Sequence, residues 1–110
     1  MNRFPVLLLL MLVSFASATK WQYATWRSYS GTRSLQVWNG PFSERFTSLT
    51  LRQLATTLKL KNMPRGTAEL TEMQFLNRLG LSGWELVDTV TSGMSKTTIR
   101  VYYFKRVVRL

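Results

Sequence analysis

From Trp21 the side chains alternate, with Trp21 and Tyr23 on one side and Gln22, Ala24 and Trp26 on the other. A period near two with this aromatic content predicts a strand over residues 20–30, and rings on both sides predict a sheet covered on both faces. Ser30-Gly-Thr32 breaks the pattern. Ser34 to Trp38 reads as a short strand, Asn39-Gly-Pro41 as a turn and Ser43 to Thr47 as the returning partner, although Pro41 removes a donor from the returning side. The period changes at Thr50. Thr50-Leu-Arg-Gln53 has the form of a capping box, and Leu51, Leu54, Ala55 and Leu58 recur at helical spacing, which predicts a helix of about ten residues. Lys59, Lys61, Pro64, Arg65 and Gly66 mark a basic, broken connection. A second helix is expected from Thr67 as N-cap, with Glu69 and Glu72 where the helix dipole favours acids. Leu70, Met73, Phe75, Leu76 and Leu79 form its apolar positions, and it is expected to end at Gly80.

Residues 76–87 then read as a helix end, a glycine elbow and the start of a strand. Gly80 stands where a left-handed residue closes a helix, with Leu81 placed for the accompanying apolar contact, and Gly83 lets the chain reverse. Trp84 to Thr91 is the next strand, residues 92–95 turn, and Thr97 to Val108 return as the longest strand. One face of that strand carries Ile99, Val101, Tyr103, Lys105 and Val107; the other carries Arg100, Tyr102, Phe104, Arg106 and Val108. Strands joined by so short a turn pair as a hairpin. The order strand, helix, strand, strand predicts an α+β fold: a small β-α-β-β sheet, antiparallel or mixed, with the first strand beside the last, a right-handed crossover and one or two helices packed on one face. Whether residues 33–49 join that sheet is left open by the pattern.

The N-terminus changes the picture of where the chain works. Arg3, the apolar run Val6 to Val13 and the small-residue pattern at Ala16 and Ala18 predict a secretory signal peptide over residues 1–18, followed by a single domain over residues 19–110. The apolar run is shorter than the ~20 residues a spanning helix needs, so no transmembrane span is expected after cleavage. Export to the periplasm or the medium follows. With no cysteine, the exported chain has no disulfide and no lipid-modified thiol, so core packing or oligomerisation must hold it together. Fifteen Lys and Arg stand against five Asp and Glu, a formal charge of +10 that only Arg3 leaves with the leader. Such a surface attracts polyanions, anionic lipid or acidic partners.

The residues Leu76, Asn77, Leu79, Gly80, Gly83, Trp84, Glu85, Leu86 and Val87 resemble the signature of the domain of unknown function 4177 family, small bacterial and archaeal proteins. An aromatic first strand (Trp21-Gln-Tyr23) and a last strand ending Tyr102-Tyr-Phe-Lys-Arg106 are similar to that family as well. The resemblance covers residues 20–28 and 68–107. Residues 30–66, a strand-turn plus helix, are then an insertion. The family has no established activity, so the resemblance implies a fold and transfers no catalytic residue. Leu76, Leu79, Gly80, Gly83, Trp84 and Leu86 enter as structural positions, with Trp84 as the anchor pinning helix to sheet.

Missing residue types exclude much chemistry. Without His or Cys there are no imidazole or thiolate metal sites and no Cys or Ser-His nucleophile, and neither a Gly-x-Gly-x-x-Gly nor a Walker-type loop is present. Glu69 and Glu72 lie three apart, which suits dipole complementarity better than paired-acid catalysis. Glu85 and Asp88, three apart on a strand, are expected on opposite faces. Ser95-Lys96 has nothing nearby to depress a lysine pKa. No enzyme, cofactor or metal is expected. Arg100, Tyr102, Phe104 and Arg106 form the candidate binding surface, cations alternating with rings on one strand face, suited to stacking, to polyanions or to an oligomer contact. The reading is an exported, basic, non-enzymatic binding protein whose partner is an anionic envelope component, an acidic protein or a second copy; nucleic acid is not expected for an exported chain. The alternative is a small-molecule or lipid-binding module with an apolar pocket beneath the helix around Trp84, Tyr103 and Phe104.

Overall fold

The computed structural model describes residues 20–31, 33–63, 65–66, 69–94 and 96–108. The expected leader, Thr67 and Ser95 lie outside the described residues. Seven elements follow in chain order: β1 (Trp21–Ser30), β2 (Leu35–Asn39), β3 (Arg45–Ser48), α1 (Leu51–Thr57), α2 (Glu72–Leu81), β4 (Glu85–Met94) and β5 (Thr97–Val107). The strands make one antiparallel sheet in the order β3-β2-β1-β5-β4. The α+β class is as expected, but the sheet is larger than β-α-β-β, because β2 and β3 extend it beyond β1. Cross-strand packing favours this addition: Trp26 stands opposite Trp38, which stands opposite Phe46, so aromatic rings line one face across three strands.

The β2–β3 reversal is displaced from Asn39-Gly40. Those two residues continue the ladder, with Asn39 opposite Arg45 and the Gly40 N–H donating to the Glu44 carbonyl at 2.8 Å. Phe42 and Ser43 make the turn instead, both left-handed at φ 59° and 60°, and the Glu44 N–H donates to the Pro41 carbonyl at 3.2 Å. Two consecutive left-handed residues give the turn whose twist matches a hairpin. The Trp38 indole N–H, donating to Glu44 Oε1 at 3.1 Å, ties the turn to the strand.

Side-chain caps set the helix starts. Thr50 Oγ1 accepts the Gln53 N–H at 3.1 Å, while Gln53 Oε1 reaches back to Leu49, one residue beyond a capping box. α2 starts four residues later than expected, because Thr71 and Gln74 make the complete reciprocal box at 3.1 and 3.0 Å. Glu69 therefore precedes α2, and its carboxylate accepts the Arg52 N–H in the first turn of α1.

Both helices end in the same way. After α1, the Lys59 N–H donates to the Thr56 carbonyl and the Leu60 N–H to the Ala55 carbonyl, each at 3.1 Å. After α2, the Gly83 N–H donates to Gly80 and the Trp84 N–H to Leu79, each at 3.0 Å. These are paired Schellman bonds, with Lys59 (φ 57°) and Gly83 (φ 92°) as the left-handed residues. The expected cap at Gly80 is thus corrected: the helix runs through Gly80 to Leu81. The apolar contact of this cap joins Trp84 to Leu79, both buried, whereas Leu81 is exposed. A side chain in the left-handed region costs about 1–2 kcal/mol and glycine does not. Lys59→Gly is therefore expected to raise the unfolding free energy in urea titrations and Gly83→Ala to lower it, each by about 1 kcal/mol. Equal signs for the two variants would contradict the shared cap.

Both described helices cover the same side of the sheet, so neither supplies the cover expected on its second face. Trp26 is fully buried, stacked on Tyr102 (centroids 4.3 Å, planes 11° apart) and edge-on to Phe75 of α2 at 4.6 Å. Its indole N–H donates to the buried Gln36 Oε1 at 2.7 Å. Trp38 packs against Trp84 (5.5 Å) and Phe104 (5.9 Å), with Leu54 and Ala55 of α1 in the same core. Trp84, 8% exposed, pins the start of β4 to this cluster.

Candidate binding surfaces of the sheet

Strand β5 separates two chemistries by its period of two. Its Arg100, Tyr102, Phe104 and Arg106 face the helices. Tyr102 and Phe104 are buried, so they form core and not an accessible platform; the candidate surface is corrected at these two positions. Alternation gave the two faces of β5 but could not say which one the helices would take. Arg100 and Arg106 flank the covered rings. Glu72 Oε2, at the first turn of α2, accepts from Arg100 Nη1 and from the Tyr102 hydroxyl, each at 2.8 Å. Glu72 thus ties the start of α2 to the middle of β5.

Burial raises the Tyr102 pKa; Arg100 works against the shift and the bond to Glu72 adds to it. A phenol held protonated by the fold stabilises fully below the unfolded value of about 10, and that contribution is lost as pH rises through the higher folded value. Urea midpoints should therefore fall above about pH 10, and Tyr102→Phe should flatten the fall. A parallel decline in the variant would assign it to other groups.

Among the described residues no helix lies on the opposite face of the sheet. Register places Tyr23, Thr25 and Arg27 of β1 there, with Val101, Tyr103 and Lys105 of β5, Val37 and Asn39 of β2, and Arg45 of β3. Tyr23 is 65% and Val87 56% exposed; Val90, Tyr103 and Val107 are also open. Lys105 Nζ lies 4.2 Å over the Trp21 ring. Strand β4 is irregular here. Leu86 pairs with Phe104 and Asp88 with Tyr103, so Val87 is an extra residue in a bulge. The bulge shifts the alternation: Glu85, opposite Lys105, and Asp88, opposite Tyr103, share the open face. Their expected placement on opposite faces is corrected, since a one-residue insertion is not legible in residue types. Both are exposed, and Asp88 lines a shallow hollow beside the bulge. Tyr23, Val87, Val90 and Tyr103 line the same hollow, of about 610 Å³.

One row across this face has opposite charges at its ends. It runs Arg45, Asn39, Thr25, Tyr103, Asp88, one residue from each strand, positive at the β3 edge and negative at the β4 edge.

A second hollow, of about 690 Å³, opens where α2 ends. Gln22, Lys61, Ser82, Gly83 and Arg106 are among the residues that line it, and no acidic side chain of the described residues does. Arg106 stacks on Trp84 (4.2 Å from guanidinium carbon to ring centroid) and donates its Nε–H to Gln22 Oε1 at 2.9 Å. Residue types alone gave Arg106 as a candidate but not its meeting with Lys61 and Gln22, which are far apart in the chain.

The remaining motif residues are structural in position. Leu79 is fully buried, Leu76 packs against the core, and Leu86, 45% exposed, lies outside the packed centre on the edge strand. Trp84 and Phe104 are in the core while Tyr103 faces the other way, so the pocket expected beneath the helix around these three is not formed by them. Lys96 is exposed. Among the described residues no group of three or more acids stands close enough to hold a metal, and no described helix is long and apolar enough to cross a membrane. No protein-family model matches this chain, and no curated protein matches it.

Proposed function

We propose that this chain is an exported, non-enzymatic binding protein that works as a homodimer through the open face of its sheet, with the cationic remainder of its surface meeting an anionic envelope component or an acidic protein. The charge-split aromatic face carries the reading. Strand spacing and rise give the face on the order of 600 Å², near the ~800 Å² each partner contributes to a standard interface. A two-fold axis parallel to the strands and passing between β1 and β5 lays β4 of one copy over β2 of the other. Asp88 then meets Asn39 on the side of Arg45, and Arg27 meets Val101 instead of another Arg27. The axis perpendicular to the strands would set Asp88 against its own copy, so charge favours the first arrangement.

The signal-like N-terminus supports export, and the resemblance to the domain of unknown function 4177 family supports a bacterial source. The hollow beside the bulge favours one second reading, a small apolar ligand. Light scattering of the chain from Thr19 separates them: a mass of twice the chain is expected, unchanged by apolar additives and reduced by high salt, which screens the edge charges. A monomer at every concentration sinks the dimer.

A further inference from the structure

We infer that the groove at the end of α2 is an anion site that takes a phosphoryl group. The inference rests on the reading of the chain as a binding protein, and not on its oligomeric state. Arg106 is held from two sides, with its guanidinium carbon over the Trp84 ring at 4.2 Å and Gln22 taking its Nε–H at 2.9 Å. Among the described residues no group accepts from its two terminal amino groups. A guanidinium fixed in orientation with its terminal donors unspent is built to receive a planar or tetrahedral oxyanion.

Lys61 lines the same groove and, among the described residues, no carboxylate does. Two full charges outweigh the partial negative charge, about half a unit, at the C-terminal end of α2, whose last carbonyls are already taken by the Schellman bonds. Two cations without an acid match a dianion. A phosphate monoester carries about −1.5 to −2 at neutral pH, whereas a single carboxylate leaves one cation uncompensated. The volume, about 690 Å³, admits a ligand larger than the phosphoryl group alone. The same dianion is presented by a soluble phosphate and by the monoester head group of phosphatidic acid.

The stacked indole provides the readout. Pyrophosphate titrated at low ionic strength into the chain from Thr19 is expected to change the tryptophan emission saturably, with acetate at least about tenfold weaker. Arg106→Gln and Lys61→Gln should each weaken pyrophosphate about tenfold or more, and Arg106→Lys should fall between, since it keeps the charge and loses the fork. Arg27→Gln, on the open face, should change affinity less than about twofold. Lys61 is exposed, so its variant reports on the site even where Arg106→Gln loosens Trp84. Vesicles containing phosphatidic acid form the second arm: binding lost with Lys61→Gln there, and absent for pyrophosphate, assigns the lipid source. No saturation by pyrophosphate to about 10 mM together with no Lys61-dependent vesicle binding overturns the site. Equal weakening by Arg27→Gln and Lys61→Gln also overturns it, reducing the effect to diffuse charge. Because the dimer is read by mass and the anion by emission, failure of one leaves the other standing.

Discussion

Trp26→Ala is expected to cost about 4–8 kcal/mol and to leave most of the chain without a cooperative unfolding transition at 37 °C. Removing the ring of a fully buried tryptophan opens a cavity worth about 3–5 kcal/mol, because Tyr102 below it and Phe75 beside it are fixed by backbone. The same change strands the buried Gln36 carbonyl oxygen, which adds about 1–3 kcal/mol. A domain of this size has only about 5–10 kcal/mol to lose. Trp26→Phe keeps one ring in the stack and loses the donor with a smaller cavity, so about 2–4 kcal/mol is expected. Urea denaturation followed by circular dichroism measures both. A Trp26→Ala chain within about 1 kcal/mol of the parent would mean that this stack is not the centre of the core.

Tyr103→Glu is expected to weaken self-association by at least about thirtyfold while lowering monomer stability by no more than about 1 kcal/mol. Tyr103 lies near the middle of the open face, beside the acidic β4 edge, so the new carboxylate meets Asp88 within the chain and is desolvated in the dimer. Asp88→Arg tests the charge pattern separately, since it turns the attraction between opposite edges into repulsion. Sedimentation equilibrium across concentration reads both variants. If both associate as the parent does, the dimer uses some other surface.

Several parts of this molecule were legible before any coordinates. Thr50 as a cap, the helical spacing of Leu51, Leu54 and Ala55, and the alternation along residues 21–30 and 97–107 are local signals, and each element formed where its signal lay. The misplacements have local causes too. Thr71 with Gln74 makes a complete box, which explains why α2 starts late. Gly80 and Gly83 are both glycines, and composition does not say which one turns left-handed; the pairing of Trp84 with Leu79 decides it. The bulge at Val87 has no compositional mark, yet it moves Asp88 to the face of Glu85. As for the candidate site, Arg100, Tyr102, Phe104 and Arg106 were correctly grouped on one face but read as accessible.

By itself, the sequence determined which chemistries are closed to this protein, for without histidine or cysteine no fold can supply imidazole or thiolate. It also determined the charge and the α+β class, because those follow from residue counts and from periods of two and 3.6. Tertiary structure alone decided which sheet face the helices cover, and with it that Tyr102 and Phe104 are core while Tyr23 and Tyr103 are surface. It alone brought Gln22, Lys61 and Arg106 to one groove. The physical reason is the same in both cases: alternation is symmetric between two faces, and contacts between distant segments depend on packing that no local period encodes.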